Sequence, residues 1–279
     1  MISDKGLQYE NQKTLKMVEI HKEEHPVSMQ IFGSDYKTIT ESSKYLLTLT
    51  PIDILDVNMG CPVNKVVKSG SGSALLKEPQ KIYDIVKSLK ENINIPVTIK
   101  IRAGWDHFSI NCDEVARLAT SAGVDAITIH GRTRSQLYTG FSNTDYIKMV
   151  RENSDKVVIG NGDIKDIESA KKVMDTGVDG IMVGRASMGN PFIFDKLTNF
   201  FDNNKIIEDP SKEEIIETLL DHANRLVLEK GEHIAMIEMR THAVWYLKLI
   251  PGTKPFRSAI VSIKTFDELK RICNAILNN

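Results

Sequence analysis

Between residues 26 and 185 the apolar positions fall in short runs, separated by longer stretches in which apolar residues recur every three or four positions. The short runs read as strands over 27–32, 53–58, 96–101, 125–130, 156–160 and 179–183. Most are β-branched and apolar, as in a parallel sheet covered on its outer face. The longer stretches, such as 81–89 and 113–119, have helical spacing. Two of these helices end in Gly123-Val124-Asp125 and Gly177-Val178-Asp179, and a third in Asn94-Ile95-Pro96. A C-cap glycine or a proline stops each helix before the next strand. Repeated strand–helix units predict a (β/α) barrel or a doubly wound parallel sheet. Past Lys205 the strand signals stop. Ser211-Lys212-Glu213-Glu214 forms a capping box, and helical patterns run through Glu229, through Leu249 and over 265–277. The pattern predicts a barrel over 1–203 and an all-helical domain over 204–279.

Composition adds bounds. The chain has 279 residues, 41% hydrophobic and 26% charged, with a formal net charge of -1. Bulk charge therefore points to no partner, and a nucleic-acid role needs a local basic face. No apolar run reaches the roughly 20 residues of a membrane span, and no signal peptide precedes the first helix. Cys61, Cys112 and Cys273 have no zinc-binding spacing and cannot all pair, which predicts no metal and a reducing, cytoplasmic setting.

The densest chemistry lies in Asn58-Met59-Gly60-Cys61-Pro62, at the end of the 53–58 strand. The segment after it, 66–74, is polar and glycine-rich. The pair reads either as a catalytic thiol at a barrel mouth under a mobile substrate loop, or as a small buried Cys before a turn. Two later loops suit a phosphate: Asn161-Gly162-Asp163 after one strand and Gly184-Arg185 after the next. Glycine lets backbone amides approach, and arginine can make a two-pronged contact. Barrels often build phosphate sites from the loops after strands seven and eight. Counting back makes 27–32 strand three.

Six segments now stand in order: 27–33, 56–62, 98–102, 129–134, 160–164 and 182–185. Together they resemble the tRNA-dihydrouridine synthases, the Dus family, and most closely its bacterial B-type branch. The resemblance extends through Met239-Arg240 and Tyr246-Leu247-Lys248. It implies a flavin-dependent (β/α)8 barrel followed by a helical tRNA-binding domain. The implied activity is reduction of a uridine carbon–carbon double bond in tRNA by FMN recharged with NADPH. Carried over residue by residue, Cys61 is the proton donor. Gln30 and Lys100 face the flavin, His130 lines its pocket, and Asn161, Gly162, Asp163, Gly184 and Arg185 hold the ribityl-phosphate end. Each residue type suits its role. A thiol can act as an acid near neutral pH, a fixed cation stabilises reduced flavin, and a tRNA base must leave its stack to react.

The resemblance also implies that strands one and two are absent, with Met1-Ile2-Ser3 as at most the tail of strand two. The expectation is strands three to eight, with a gap between 27–32 and 179–183. Basic residues supply the RNA side: Lys65 and Lys68 beside Cys61, Arg132 and Arg134 on the next loop but one, and Arg240, Lys248, Lys254 and Arg257. The last four lie in a stretch, 240–264, without Asp or Glu. Plainer readings accompany each residue. Gln30 can be a polar strand end, His130 a loop cap, 161–163 an ordinary turn, and Arg132 and Arg134 a solvated loop. Two rival functions remain at this point. One is a flavin barrel acting on a free pyrimidine, akin to dihydroorotate or dihydropyrimidine dehydrogenases. The other is an inactive, truncated tRNA-binding product. The chain is expected to be a monomer.

Overall fold

The computed structural model describes all residues, Met1–Asn279. They form two compact units, Met1–Ile164 with Glu168–Met182, and Lys165–Ile167 with Val183–Asn279. The first is a parallel sheet flanked by helices. Its strands are β1 (Ile2–Ser3), β2 (Ser28–Phe32), β3 (Ile54–Asn58), β4 (Val97–Arg102), β5 (Ala126–His130), β6 (Val157–Asn161) and β7 (Gly180–Met182). Each pairs in parallel with the next in chain order, and β1 and β7 do not pair. This is the topology of a (β/α) barrel left open between β1 and β7. The 27–32 and 179–183 strands are not neighbours, as expected. The seventh strand, β1, is the short remnant that Met1-Ile2-Ser3 was expected to supply at most. Ile2 pairs with Ile31 and Ser3 with Phe32, and the Ile2 side chain, 2% exposed, belongs to the core.

The alternation within each strand explains the layers. Ile31, Leu55, Val57, Ile99, Ile101, Ile127 and Ile129 are all fully buried. Helices cover them with matching stripes, such as Ile82, Ile85, Val86 and Leu89 of Pro79–Asn92. The Asp that opens a strand has a recurring task. Asp53, Asp125 and Asp179 each accept the backbone N–H of the preceding strand's first turn, at Val27, Val97 and Val158, with distances of 2.6, 2.6 and 2.8 Å. This accounts for the Gly-Val-Asp repeat: glycine ends the helix, valine is buried and aspartate staples neighbouring strands.

The second unit is helical: Phe192–Asn203, Lys212–Lys230, Glu232–Tyr246 and Phe266–Leu277, with shorter turns at Lys254–Phe256 and Arg257–Ile260. The Ser211–Glu214 capping box is formed. Its core joins Ile215, Leu219, Ala235, Met236, Met239, Leu247, Leu269 and Cys273. The unit boundary differs from the expected 203/204 and falls near 183. Phe192 packs against the helical core. Gly189 (φ 64°) sits so close to the Trp245–Tyr246 backbone that any Cβ would overlap it. The segment from 183 to 203 thus belongs with the helices that follow it.

On the outer face of β6, a Cβ at Gly160 would overlap Val173 Cγ1 and stand 3.3 Å from Ile147 Cγ2. Gly160→Ala is expected to lower stability by about 1–3 kcal/mol through overpacking. A denaturation midpoint equal to that of the parent chain would contradict this packing.

Candidate functional site

The inner face of the sheet is as polar as the outer face is apolar. Strand register sets Gln30 beside Asp56, Asp56 beside Thr98, Asn58 beside Lys100, Arg102 beside His130, and His130 beside Asn161. Polar groups removed from water need partners, and these close on one another. Gln30 Nε2 and Thr98 Oγ1 donate to the two oxygens of Asp56, each at 2.6 Å. Asn58 Nδ2 donates to Gln30 Oε1 at 2.8 Å. Lys100 Nζ donates to Asn161 Oδ1 at 2.8 Å, and Asn161 Nδ2 to the Met182 carbonyl at 2.7 Å.

Burial tunes the charges. It pulls the Lys100 ammonium down to about 8, against the opposing charge of Asp56 and with help from Arg102. It raises the Asp56 carboxyl, against the hydrogen bonds from Gln30 and Thr98. It lowers His130 to about 3, with Arg102, Lys100 and Arg132 adding to the effect. His130 is therefore neutral near pH 7. Arg132 can only donate, so His130 Nε2, 3.3 Å from Arg132 Nη1, accepts and the ring proton sits on Nδ1.

Cys61 follows β3 and is half-buried. Its N–H and that of Gly60 both donate to Asn58 Oδ1, at 2.8 and 3.2 Å. Its carbonyl accepts from Ser73 Oγ at 2.9 Å and Ser73 N at 3.1 Å. The segment expected as a mobile loop over the site instead folds into a short helix, Asn64–Val67, and a 3-10 helix, Gly72–Lys77, with Ser71 and Ser73 buried. Gly72 (φ 61°) allows this return, since a Cβ there would stand 2.8 Å from the Cys61 carbonyl. Cys112 and Cys273 are buried, and burial raises both thiols to about 12.

The turn after β6 is built on a buried ion pair. Arg132 is 2% exposed. Its Nη2 donates to Asp163 Oδ2 at 2.6 Å and to the Gly140 carbonyl at 2.7 Å. Asp163 Oδ2 also accepts Ser142 N at 2.8 Å. Gly162 (φ 126°) packs against Ser142, and a Cβ there would overlap the Ser142 hydroxyl. Arg132 was expected on an RNA-facing loop and is instead internal, because four acceptors, Thr139 O, Gly140 O, Asp163 Oδ2 and His130 Nε2, surround its guanidinium. Arg134 is half-buried, with Nη2 on Asn64 Oδ1 at 2.9 Å and its guanidinium 4.6 Å from the Trp105 ring centroid. Arg240 is half-buried too and donates twice to the Ile263 carbonyl, at 3.0 and 2.9 Å. Lys65, Lys68, Lys248, Lys254 and Arg257 are exposed. Gly184 and Arg185 follow β7 and are exposed in the second unit, Arg185 opening a 3-10 turn. The sequence reading gave no role to Asp56, Thr98 or Arg102. The signal was there: in Thr98-Ile99-Lys100-Ile101-Arg102 every second residue is polar.

The sequence profile described as Dihydrouridine synthase (Dus) matches residues 1–279. The chain belongs to this family. It is 37% identical over 257 residues to tRNA-dihydrouridine synthase B of Pseudomonas syringae pv. tomato, covering 92% of this chain and 76% of that protein. Over 268 residues it is 37% identical to tRNA-dihydrouridine synthase B of Pasteurella multocida, covering 94% and 79%. Among solved structures, the sheet and its helices resemble DHODH of Eimeria tenella, in a crystal structure with ferulenol, at a TM-score of 0.50 and 14% identity over 76% of this chain and 68% of that one. This last likeness concerns the fold alone. No helix is long and apolar enough to cross a membrane.

Two outcomes follow from these charges in this Dus-family chain. Asp163→Ala leaves the buried Arg132 guanidinium without its carboxylate and should cost about 3 kcal/mol or more. Arg132→Ala leaves a partly exposed carboxylate and should cost less; the reverse order in chemical denaturation would contradict the pairing. His130 titrates near 3 in the fold and near 6.5 when unfolded. Between these values the unfolded chain binds a proton that the fold does not, so stability falls as pH falls through that window. The slope, at most about 1.4 kcal/mol per pH unit for one proton, should flatten in His130→Gln. An unchanged slope would show that His130 does not titrate this way.

Proposed function

We propose that this chain reduces uridine in tRNA to 5,6-dihydrouridine, using FMN that NADPH recharges. The observation that carries the reading is the placement of Cys61 at the C-terminal end of β3, beside a row of inward polar residues, Gln30, Lys100, His130 and Asn161, in a chain of this family. The names of the bacterial relatives support tRNA as the substrate.

The inner face fits a flavin in its chemistry. Gln30 offers an acceptor and a donor to an imide edge. Lys100, whose only close acceptor is a neutral amide oxygen, supplies a cation for negative charge on the ring. His130 offers Nδ1–H. The Asn161–Asp163 turn, with its acid neutralised by Arg132, would hold the ribityl-phosphate end; Gly184 and Arg185, in the second unit, are phosphate contacts by family resemblance alone. When bound, the flavin supplies hydride to one carbon of the uracil double bond. Cys61 holds the proton that the other carbon receives, and its thiolate must then regain one from solvent. Asn58, Ser73 and Gly72 fix the backbone that carries the thiol. Lys65, Lys68, Lys248, Lys254 and Arg257 are the phosphate contacts, and the target base is extruded to reach the site. The chain is read as a monomer, and its three unpaired thiols suit a reducing cytoplasm.

The test is to load the chain with FMN, add NADPH and tRNA, and look for nucleosides that have gained two hydrogens. Turnover of free pyrimidines without tRNA would favour the rival class instead. Cys61→Ala should keep the flavin spectrum and lose nearly all dihydrouridine; normal turnover in that variant would remove Cys61 from the mechanism. Arg185→Ala should weaken FMN more than tRNA, since a charge-assisted bond is worth about 1.5–3 kcal/mol. An unchanged FMN dissociation constant would count against the phosphate role of that loop.

A further inference from the structure

We propose that Asp56 is a positioning residue for Cys61, setting through Gln30 and Asn58 the hydrogen bonds that hold the Gly60–Cys61 backbone. The inference deepens the reading of Cys61 as proton donor and rests on it.

Two groups at the ends of this hydrogen-bonded chain cannot reverse their roles. The N–H groups of Gly60 and Cys61 can only donate, so the Asn58 oxygen must face them. Asn58 therefore turns its amide hydrogens toward Gln30, whose oxygen accepts at 2.8 Å. Gln30 must then turn its own amide hydrogens the other way, onto Asp56 Oδ2 at 2.6 Å. The Asp56 carboxylate can only accept, and its second oxygen is taken by Thr98. The chain runs from acceptor to donor without a mismatch, and each end is fixed by chemistry rather than by packing.

Asp56 and Asn58 are each 8% exposed, so water is a poor substitute for either partner. Without an acceptor at position 56 the Gln30 amide loses what orients it. In the flipped state its NH2 meets the NH2 of Asn58, donor against donor. Relief requires Asn58 to flip as well, and the Cys61 N–H then faces hydrogens. A side chain two strand positions away from Asn58 and on the same face thus controls the loop carrying the thiol. Asp56 itself is held in register between Gln30 and Thr98.

The experiment uses the full chain without FMN or tRNA. Amide hydrogen exchange at Gly60 and Cys61 is followed by mass spectrometry with residue-level fragmentation. Asp56→Leu removes the acceptor, Gln30→Leu cuts the middle of the chain, and Asp56→Asn keeps one oxygen for Gln30. We expect exchange at Gly60 and Cys61 at least tenfold faster in the two leucine variants, and within about twofold of the parent in Asp56→Asn, while Ile99 and Ile101 stay protected. If Asp56→Leu fails to fold, Gln30→Leu decides. Parent-like exchange in the leucine variants that fold overturns the proposal, as does Asp56→Asn behaving like Asp56→Leu. In loaded enzyme Asp56→Leu should lower kcat with little change in KM for tRNA, with recovery in Asp56→Asn. A parent chain that forms no dihydrouridine would count against the role of Cys61, while the exchange result would still test the relay.

Discussion

The inner face of the sheet is governed by the cost of taking polar side chains out of water. A parallel sheet in a barrel has no solvated face, so its strands are usually apolar on both sides. Here the outer face obeys that rule and the inner face does not. Gln30, Asp56, Asn58, Thr98, Lys100, Arg102, His130 and Asn161 share the inner face, and Asn58, Arg102, His130 and Asn161 each close a strand, at the end where barrels place their chemistry. Leaving any of them unpaired would cost more than a paired bond contributes. Their mutual closure is thus a condition for folding, and it fixes the geometry of the site as a consequence. The apolar outer face, stapled by Asp53, Asp125 and Asp179, supplies the rigid frame that such closure needs.

Two cations, Lys100 on this face and Arg132 on the loop after β5, are handled in opposite ways. Arg132 is enclosed by the Asp163 carboxylate and backbone carbonyls, so its charge is answered inside the protein. Lys100 has a single amide oxygen at hydrogen-bond distance, with the Asp56 charge nearby, and burial brings its ammonium down to about 8. A fully answered cation belongs to the scaffold. One held by a neutral acceptor keeps electrostatic capacity for an incoming negative charge. The sequence reading set Lys100 in an apolar strand toward the flavin and Arg132 on a loop toward RNA. Burial and partners separate them: Arg132 is internal, while Lys100 faces inward with one neutral acceptor.

Much of the fold was legible because it is written in local chemistry. Helix-ending glycines, the Ser211 capping box and the short apolar runs fixed element order. The ordered segments around Cys61, Lys100, His130 and Asn161 gave the family. Three features were not legible. Ile2–Ser3 is too short to show periodicity and is a strand only because Ile31 and Phe32 lie beside it. The boundary near 183 depends on Gly189 and Phe192 meeting residues far along the chain, such as Trp245. The fate of Arg132 depends on Asp163, which a linear reading assigned to a turn. In each case the deciding partner is distant in sequence, and local propensity carries no information about it.

The connection that carries Cys61 is fastened on both sides of one peptide. A connection held only by its ends would leave the thiol to wander, and misplacement of a reacting group by about 1 Å can cost about a hundredfold in rate. Here the Cys61 peptide is gripped on both sides. Asn58 takes its N–H from the strand that precedes it, and Ser73 takes its carbonyl from the segment that returns. That return is possible only because residue 72 has no Cβ to strike the same carbonyl. The glycine-rich stretch after the thiol thus does more than confer mobility. It lets the chain come back tightly enough to clamp the peptide that carries the thiol.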